Sequence, residues 1–158
     1  MTQVPPNANT IDLIPLKGVN QLCFGATMLD AEAEFGKPAD VETLDELPEY
    51  KSIVWHYWGR GVSLFFDDNE RNTFSCVEVD GKHATLWGHK PFEMDEKSLL
   101  KLFADHGYTE VDTEDQPWGE RRVSVDDATV DMYFDKGVLM SISCAIAPHI
   151  PNELMLPN

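Results

Sequence analysis

Residues 62–79, VSLFFDDNERNTFSCVEV, are matched sixty-eight positions later by residues 130–147, VDMYFDKGVLMSISCAIA. Each stretch starts as an aromatic-rich strand ending in Phe-Asp, crosses a polar turn and enters a second strand carrying Ser-Cys. Holding the shift fixed and allowing no gaps pairs Phe24 with Phe92, Phe35 with Phe103, Phe66 with Phe134, Ser75 with Ser143 and Cys76 with Cys144. Nine identities fall in the sixty positions from Asn20 to Val79, where unrelated chains of ordinary composition share about three or four. Leu64/Met132, Phe65/Tyr133, Trp55/Val123 and Tyr57/Val125 keep apolar bulk where a strand needs it. The pattern predicts an α+β fold, a tandem duplication of an α-β-β-β unit whose mostly antiparallel sheet carries its helices on one face. Two similar hairpins arising by convergence is the competing reading.

Working outward gives an N-terminal arm at 1–17, a first unit at 18–82, a second at 83–147 and a proline-rich tail at 148–158. Thr27 is placed to cap a helix over 28–35, MLDAEAEF, which Gly36 stops and Pro38 keeps from continuing. Asp95 caps the second helix, EKSLLKLFADH, with a broad Leu/Phe stripe, and Gly107 ends it. The segments 39–52 and 109–120 read as exposed acidic loops. On the last strand Val138, Met140, Ile142, Cys144 and Ile146 alternate with Leu139, Ser141, Ser143 and Ala145, a half-buried pattern.

The run Phe24-Gly25-Ala26-Thr27, a short helix ending Phe35-Gly36-Lys37-Pro38, a Trp/Tyr strand and a strand ending Phe-Asp resembles a known pattern. It is that of the small outer-membrane-assembly lipoproteins of the BamE/SmpA type and of the β-lactamase inhibitor protein, which carries such a unit twice. It is also similar to bacterial proteins of the toxin-immunity type. The second unit departs from it, with Glu93 for the first glycine and His106-Gly107 for Gly-x-Pro. The resemblance implies a binding module; the lipoprotein role is not implied, because no signal sequence precedes a cysteine.

At 158 residues the chain is long enough for one sizeable core without metal or disulfide. Three cysteines close no disulfide framework and fit a reducing compartment. The start of the chain has no charged n-region or long apolar run, so the expected location is cytoplasmic. A net charge of −16 argues against nucleic acid and membrane surfaces as partners and favours a basic protein.

No enzyme signature stands out. His56, His83, His89, His106 and His149 share no zinc-ligand spacing with one another or with the cysteines, so no metal and no cofactor is expected. Asp67-Asp68-Asn69-Glu70 and Asp126-Asp127 with Asp131 lack the sixth-position glycine and closing glutamate of a calcium loop. Ser63, Ser75 and Ser143 sit in mid-strand with no nucleophile elbow, and Cys76 and Cys144 read as small buried residues on matching strands. What remains is surface: Trp58, Phe65 and Tyr50 have no obvious burial site, and the acidic segments carry Glu46, Glu49, Glu114 and Asp115 beside Trp118. If those segments converge on one edge, these residues form an aromatic patch rimmed by acids, suited to a basic partner. The expected function is a non-enzymatic, immunity-type binding protein. A structural module that forms a homodimer through its open sheet, and a small hydrolase or metal protein built around His56, are the alternatives.

Overall fold

The computed structural model describes residues 10–47, 50–67 and 72–146, and their side chains except at 45–47, 50 and 51. Most of the arm, the tail and the polar turn at 68–71 lie outside the described residues.

Three short strands, β1 (Asp12–Ile14), β2 (Gly18–Val19) and β3 (Leu22–Cys23), lead into helix α1 (Met28–Phe35). Four longer strands follow, β4 (Asp40–Leu47), β5 (Tyr50–Tyr57), β6 (Val62–Asp67) and β7 (Phe74–Val79), then a short β8 (Thr85–Leu86). Helix α2 (Glu96–Asp105) opens the second half, which continues through β9 (Val111–Asp115), β10 (Arg121–Val125), β11 (Val130–Asp135) and β12 (Val138–Ala145). The long strands form one sheet in the order β4-β5-β6-β7-β12-β11-β10-β9, antiparallel throughout. A small sheet, β3-β2-β1-β8, contains the parallel pair β1–β8.

The fold is α+β and mostly antiparallel, as the sequence predicts, but each half contributes four strands to the main sheet rather than three. The extra strand is in each case the segment expected to be an acidic loop. In β4, Asp40 and Glu42 alternate with Val41 and Thr43; in β9, Asp112 and Glu114 alternate with Val111 and Thr113. Acidic residues disfavour a buried strand, yet these are the two edge strands, where water reaches both faces and charge discourages edge-to-edge aggregation.

Both helices start as the sequence dictates. Thr27 Oγ1 accepts from the Asp30 N–H at 3.1 Å while Asp30 accepts from the Thr27 N–H at 3.2 Å, a reciprocal capping box. Asp95 accepts from the Ser98 N–H at 2.8 Å. Gly36 takes φ +82° with an extended ψ, so α1 ends in a positive-φ residue that is not left-handed helical.

Ala31 and Phe35 of α1 and Leu99, Leu102 and Phe103 of α2 join one buried cluster with Val62, Leu64 and Phe66 of β6 and Val130, Met132 and Phe134 of β11. Both helices therefore cover the same face of the sheet. Strands β6 and β11 have the same alternation of buried and half-buried residues, and each breaks register at the same place, Phe65/Phe66 and Tyr133/Phe134.

The Ser-Cys motifs do not correspond. Leu64 pairs with Val77 where Met132 pairs with Ile142, and Val62 pairs with Val79 where Val130 pairs with Cys144. The last strands of the two halves thus match at a shift of sixty-five, and Cys144 stands where Val79 does. The connection from Phe66 to its partner Phe74 is three residues longer than that from Phe134 to Leu139. An odd offset turns every side chain to the other face, so Cys76 faces away from the core while Cys144 is fully buried within it. The same irregularity breaks the expected alternation in β12, where Leu139 is buried and Val138 and Met140 are exposed.

Candidate functional site

Strand parity fixes what the face turned away from the two helices displays. If Trp55 and Tyr57, Leu64 and Phe66, and Val77 and Val79 point to the helices, the residues between them point away. Following the pairing across all eight strands gives one continuous polar row: Asp40, His56, Ser63, Glu78, Ser143, Asp131, Ser124 and Asp112. Glu42, Phe65, Tyr133, Arg122 and Glu114 flank it. Among the described residues, the hydrogen bonds and ion pairs of these side chains run to other residues of the sheet, none to the helices or the small sheet.

In the first half His56 is the hub. Its Nδ1 lies 2.7 Å from Ser63 Oγ and its Nε2 2.9 Å from Glu42 Oε1. The indole of Trp58, in a single 3-10 turn beyond β5, stacks on the imidazole with centroids 4.1 Å apart. Glu78, at the centre of the row, has its carboxyl raised above the ordinary range by desolvation and by Asp80, against a lowering from His56. In the second half Arg122 takes the central role, reaching Ser124, Asp112 at 3.1 Å and Glu114 at 3.9 Å, while Ser124 donates to Asp131.

Serine, histidine and glutamate in hydrogen-bonded series have the composition of a nucleophilic relay. Ser63, however, sits in a central strand between His56 of β5 and Glu78 of β7, where the backbone N–H groups are engaged in the ladder. That leaves no pair of donors beside it to receive an oxyanion. The two thiols of the main sheet, Cys76 and Cys144, are also poor nucleophiles. Desolvation pushes Cys76 up to about 11, with a 3.4 Å contact to Ser143 lowering it only partly, and full burial raises Cys144 further. Among the described residues no group of three His, Cys, Asp or Glu side chains stands where it would hold a metal ion. Asp127, in the second of the aspartate turns, accepts from the Thr109 and Glu110 N–H groups at 3.0 and 3.2 Å.

The residues singled out from sequence are not brought together. Phe65 lies half-buried on the open face, and Trp58, 63% exposed, reaches it through the stack on His56. Glu114 is on that face at the far edge, but Asp115 points to the helix side, where it lies 3.5 Å from Arg121, which also pairs with Glu96 of α2 at 3.0 Å. Trp118 is in the β9–β10 turn, 66% exposed, its Nε1–H donating to Glu120 at 2.6 Å. Glu46 and Tyr50 lie at the far ends of β4 and β5, their side chains outside the described residues, as is Glu49 altogether. The two acidic segments do not converge on one edge. They are opposite edges of an eight-stranded sheet, seven strand spacings or about 33 Å apart along its surface. The residues that do assemble, His56, Ser63, Glu78, Asp131 and Ser124, were legible only as the complement of the core residues in each strand.

Among the described residues no helix is long and apolar enough to cross a membrane. No protein-family model and no curated protein matches the chain. Among solved structures, the crystal structure of a DUF4309 family protein (YjgB) from Bacillus subtilis is similar, with a TM-score of 0.52 over 90% of this chain and 93% of that one. The two are 14% identical, so the likeness is one of fold.

Proposed function

We propose that the protein is a non-enzymatic binding protein, of the cytoplasmic immunity type, that takes a basic protein partner on the open face of its sheet. The observation that carries this reading is the row from Asp40 to Asp112. It sets Asp40, Glu78, Asp131 and Asp112 across a face that no described helix covers, with Trp58, Phe65 and Tyr133 beside it. Carboxylates on a broad surface steer a positively charged partner, and exposed aromatics supply the contact area that holds it.

The reading includes a tandem duplication, as in the β-lactamase inhibitor protein that the first unit resembles. At the seam, exchanging the halves sends the pair Val79–Ile142 onto Cys144–Val77 and the pair Glu78–Ser143 onto itself, as a two-fold axis normal to the sheet requires. The proteins that the first unit resembles mostly work by binding. Self-association through the same face is disfavoured, because it would set two rows of carboxylates against each other.

The test is to capture the partner from the source cell and measure its association with purified protein at low and at physiological salt. A partner of basic isoelectric point is expected, its affinity falling as salt rises. Trp58→Ala should weaken capture about tenfold or more and leave the thermal midpoint within about 1–2 °C, because Trp58 touches only the rim of the fold. A salt-resistant homodimer blocked by the same substitution would overturn the proposal.

A further inference from the structure

Away from the open face, a cleft of about 560 Å³ lies at the turn between β5 and β6, lined by Thr10, Ile11, Gly59, Arg60, His83 and Ala84 together with Gly81. Its polar lining includes two groups able to carry positive charge, in a chain whose net charge is −16. Arg60 makes no hydrogen bond and no ion pair among the described residues, and its Nε is buried without a partner. The guanidinium carbon rests 4.9 Å above the Phe35 ring. By contrast Arg121 and Arg122 each hold two carboxylates. With twenty-eight acidic residues in the chain, an arginine left unpaired is held apart by the fold. Burial lowers the guanidinium from its ordinary value, opposed at Coulombic range by Tyr57 and then Glu34.

The second half shows the same turn without the cleft's cation. Gly61 and Thr129 both take positive φ, at 67° and 53°, and each N–H closes a tight turn onto Trp58 and Asp126 respectively. Arg60 there corresponds to Ala128, which is fully buried, and Gly59 to Asp127, which is spent on the Thr109 and Glu110 N–H groups. One turn is sealed; the other is open and cationic. Its floor also requires a close chain crossing: the Gly81 N–H bonds Gly61 O at 3.1 Å, and a Cβ on Gly81 would stand 2.6 Å from the Arg60 carbonyl oxygen.

We infer that this cleft is an oxyanion site, in which the Arg60 guanidinium, with His83 at the rim, receives a carboxylate or phosphate group of a small ligand. With Nε buried, the two terminal nitrogens are the donors that face the cleft, an end-on fork that a planar or tetrahedral oxyanion fills with two parallel hydrogen bonds. Phe35 beneath the guanidinium fixes its plane and leaves its edge for the ligand. The site is separate from the sheet face and does not depend on what binds there.

The experiment is an NMR titration of the full chain with inorganic phosphate and, separately, with acetate, each at ionic strength matched by chloride, following the arginine Nε–H signals. The Arg60 signal should shift saturably with at least one anion while those of Arg121 and Arg122 stay in place. A response to phosphate alone would assign a phosphate-bearing ligand, and a response to acetate a carboxylate. Arg60→Lys keeps the charge and the stem over Phe35 but loses the fork, and should weaken binding about tenfold or more. For that variant, which has no Nε–H signal, backbone amides at Gly59 and Gly81 report. Should Arg60→Ala fail to fold, His83→Ala, at an exposed position, provides the second arm, with a weaker but measurable loss. The inference is overturned if neither anion produces saturation, if Arg121 and Arg122 shift together with Arg60, or if Arg60→Lys and His83→Ala both bind as the parent does.

Discussion

The two halves build one architecture with their bulk in different layers. In the first, α1 buries only Ala31 and Phe35, and the facing strand supplies Trp55 and Tyr57; in the second, α2 buries Leu99, Leu102 and Phe103, and the facing strand supplies Val123 and Val125. Phe35 packs on Tyr57 with ring centroids 5.6 Å apart and Trp55 on Phe66 at 4.9 Å, an aromatic interior. Phe103 instead meets Trp87, brought from beyond the sheet, edge-on at 5.1 Å. Interiors are filled to a nearly fixed density, so what is held constant between equivalent sites is the volume between helix and sheet, not the identity of either lining. The difference reaches the other face as well, where His56 organises one half and Arg122 the other.

The comparison breaks most sharply at its best-matched pair. Phe66 and Phe134 occupy the same point of the same buried pattern, and truncating either to Ala should cost about 3–5 kcal/mol in denaturant unfolding. The two costs should agree to within about 1 kcal/mol; a large disparity would mean that the halves are packed to different standards. Next in size is the exchange of volume itself. Ala31→Leu, which installs in α1 the bulk that α2 has at Leu99, should cost about 1–3 kcal/mol by overpacking. Combined with Trp55→Val it should recover part of that loss. Strict additivity in a double-mutant cycle would show that the two layers do not share their space.

Much of this was readable in the chain. The caps at Thr27 and Asp95, the span of α1 and the parity of β5, β6 and β11 follow from side-chain chemistry over a few residues. The shift of sixty-eight holds for the helices, for β5 against β10 and for β6 against β11, but becomes seventy-two at the edges, where Asp40 pairs with His56 and Asp112 with Ser124. It fails at β12 because the length of one turn sets the register of the strand after it, and no local pattern in 138–145 reports how many residues the preceding turn consumes. The acidic edges were missed for a related reason. Asp40–Leu47 and Val111–Asp115 have a composition that is unfavourable for an interior strand and useful at an edge, and edge position is a property of the whole sheet. The open-face row was half visible: His56 and Phe65 were set opposite the core by alternation, but joining them to Glu78, Asp131 and Ser124 requires strand order. Arg60 gave no signal, since an unpaired arginine is recognised only by the carboxylates that fail to reach it.

The smallest effect distinguishes the halves by a single hydroxyl. Tyr57 Oη donates to the Gly36 carbonyl at 2.8 Å, tying the end of α1 to the sheet, whereas Val125 at the matching place offers no such bond. Tyr57→Phe keeps the ring against Phe35 and should cost about 1 kcal/mol at neutral pH, mostly the unsatisfied carbonyl. The burial of the same phenol predicts a pH dependence. Desolvation pushes the phenol of Tyr57 from 10.0 up to about 12, opposed by Arg60 and aided by Glu32. The folded state therefore holds the neutral form while the unfolded chain ionises, so the contribution is whole below pH about 10 and is lost as pH rises toward about 12. Unfolding free energies of parent and Tyr57→Phe should differ by a constant amount on the acid side of that window, converge as pH enters it and then cross, because two pKa steps of about 1.4 kcal/mol each outweigh the hydroxyl's contribution. A difference that stayed constant through the window would mean that the phenol ionises as readily in the folded protein as in the open chain, and that its burial against Phe35 does not keep water from the hydroxyl.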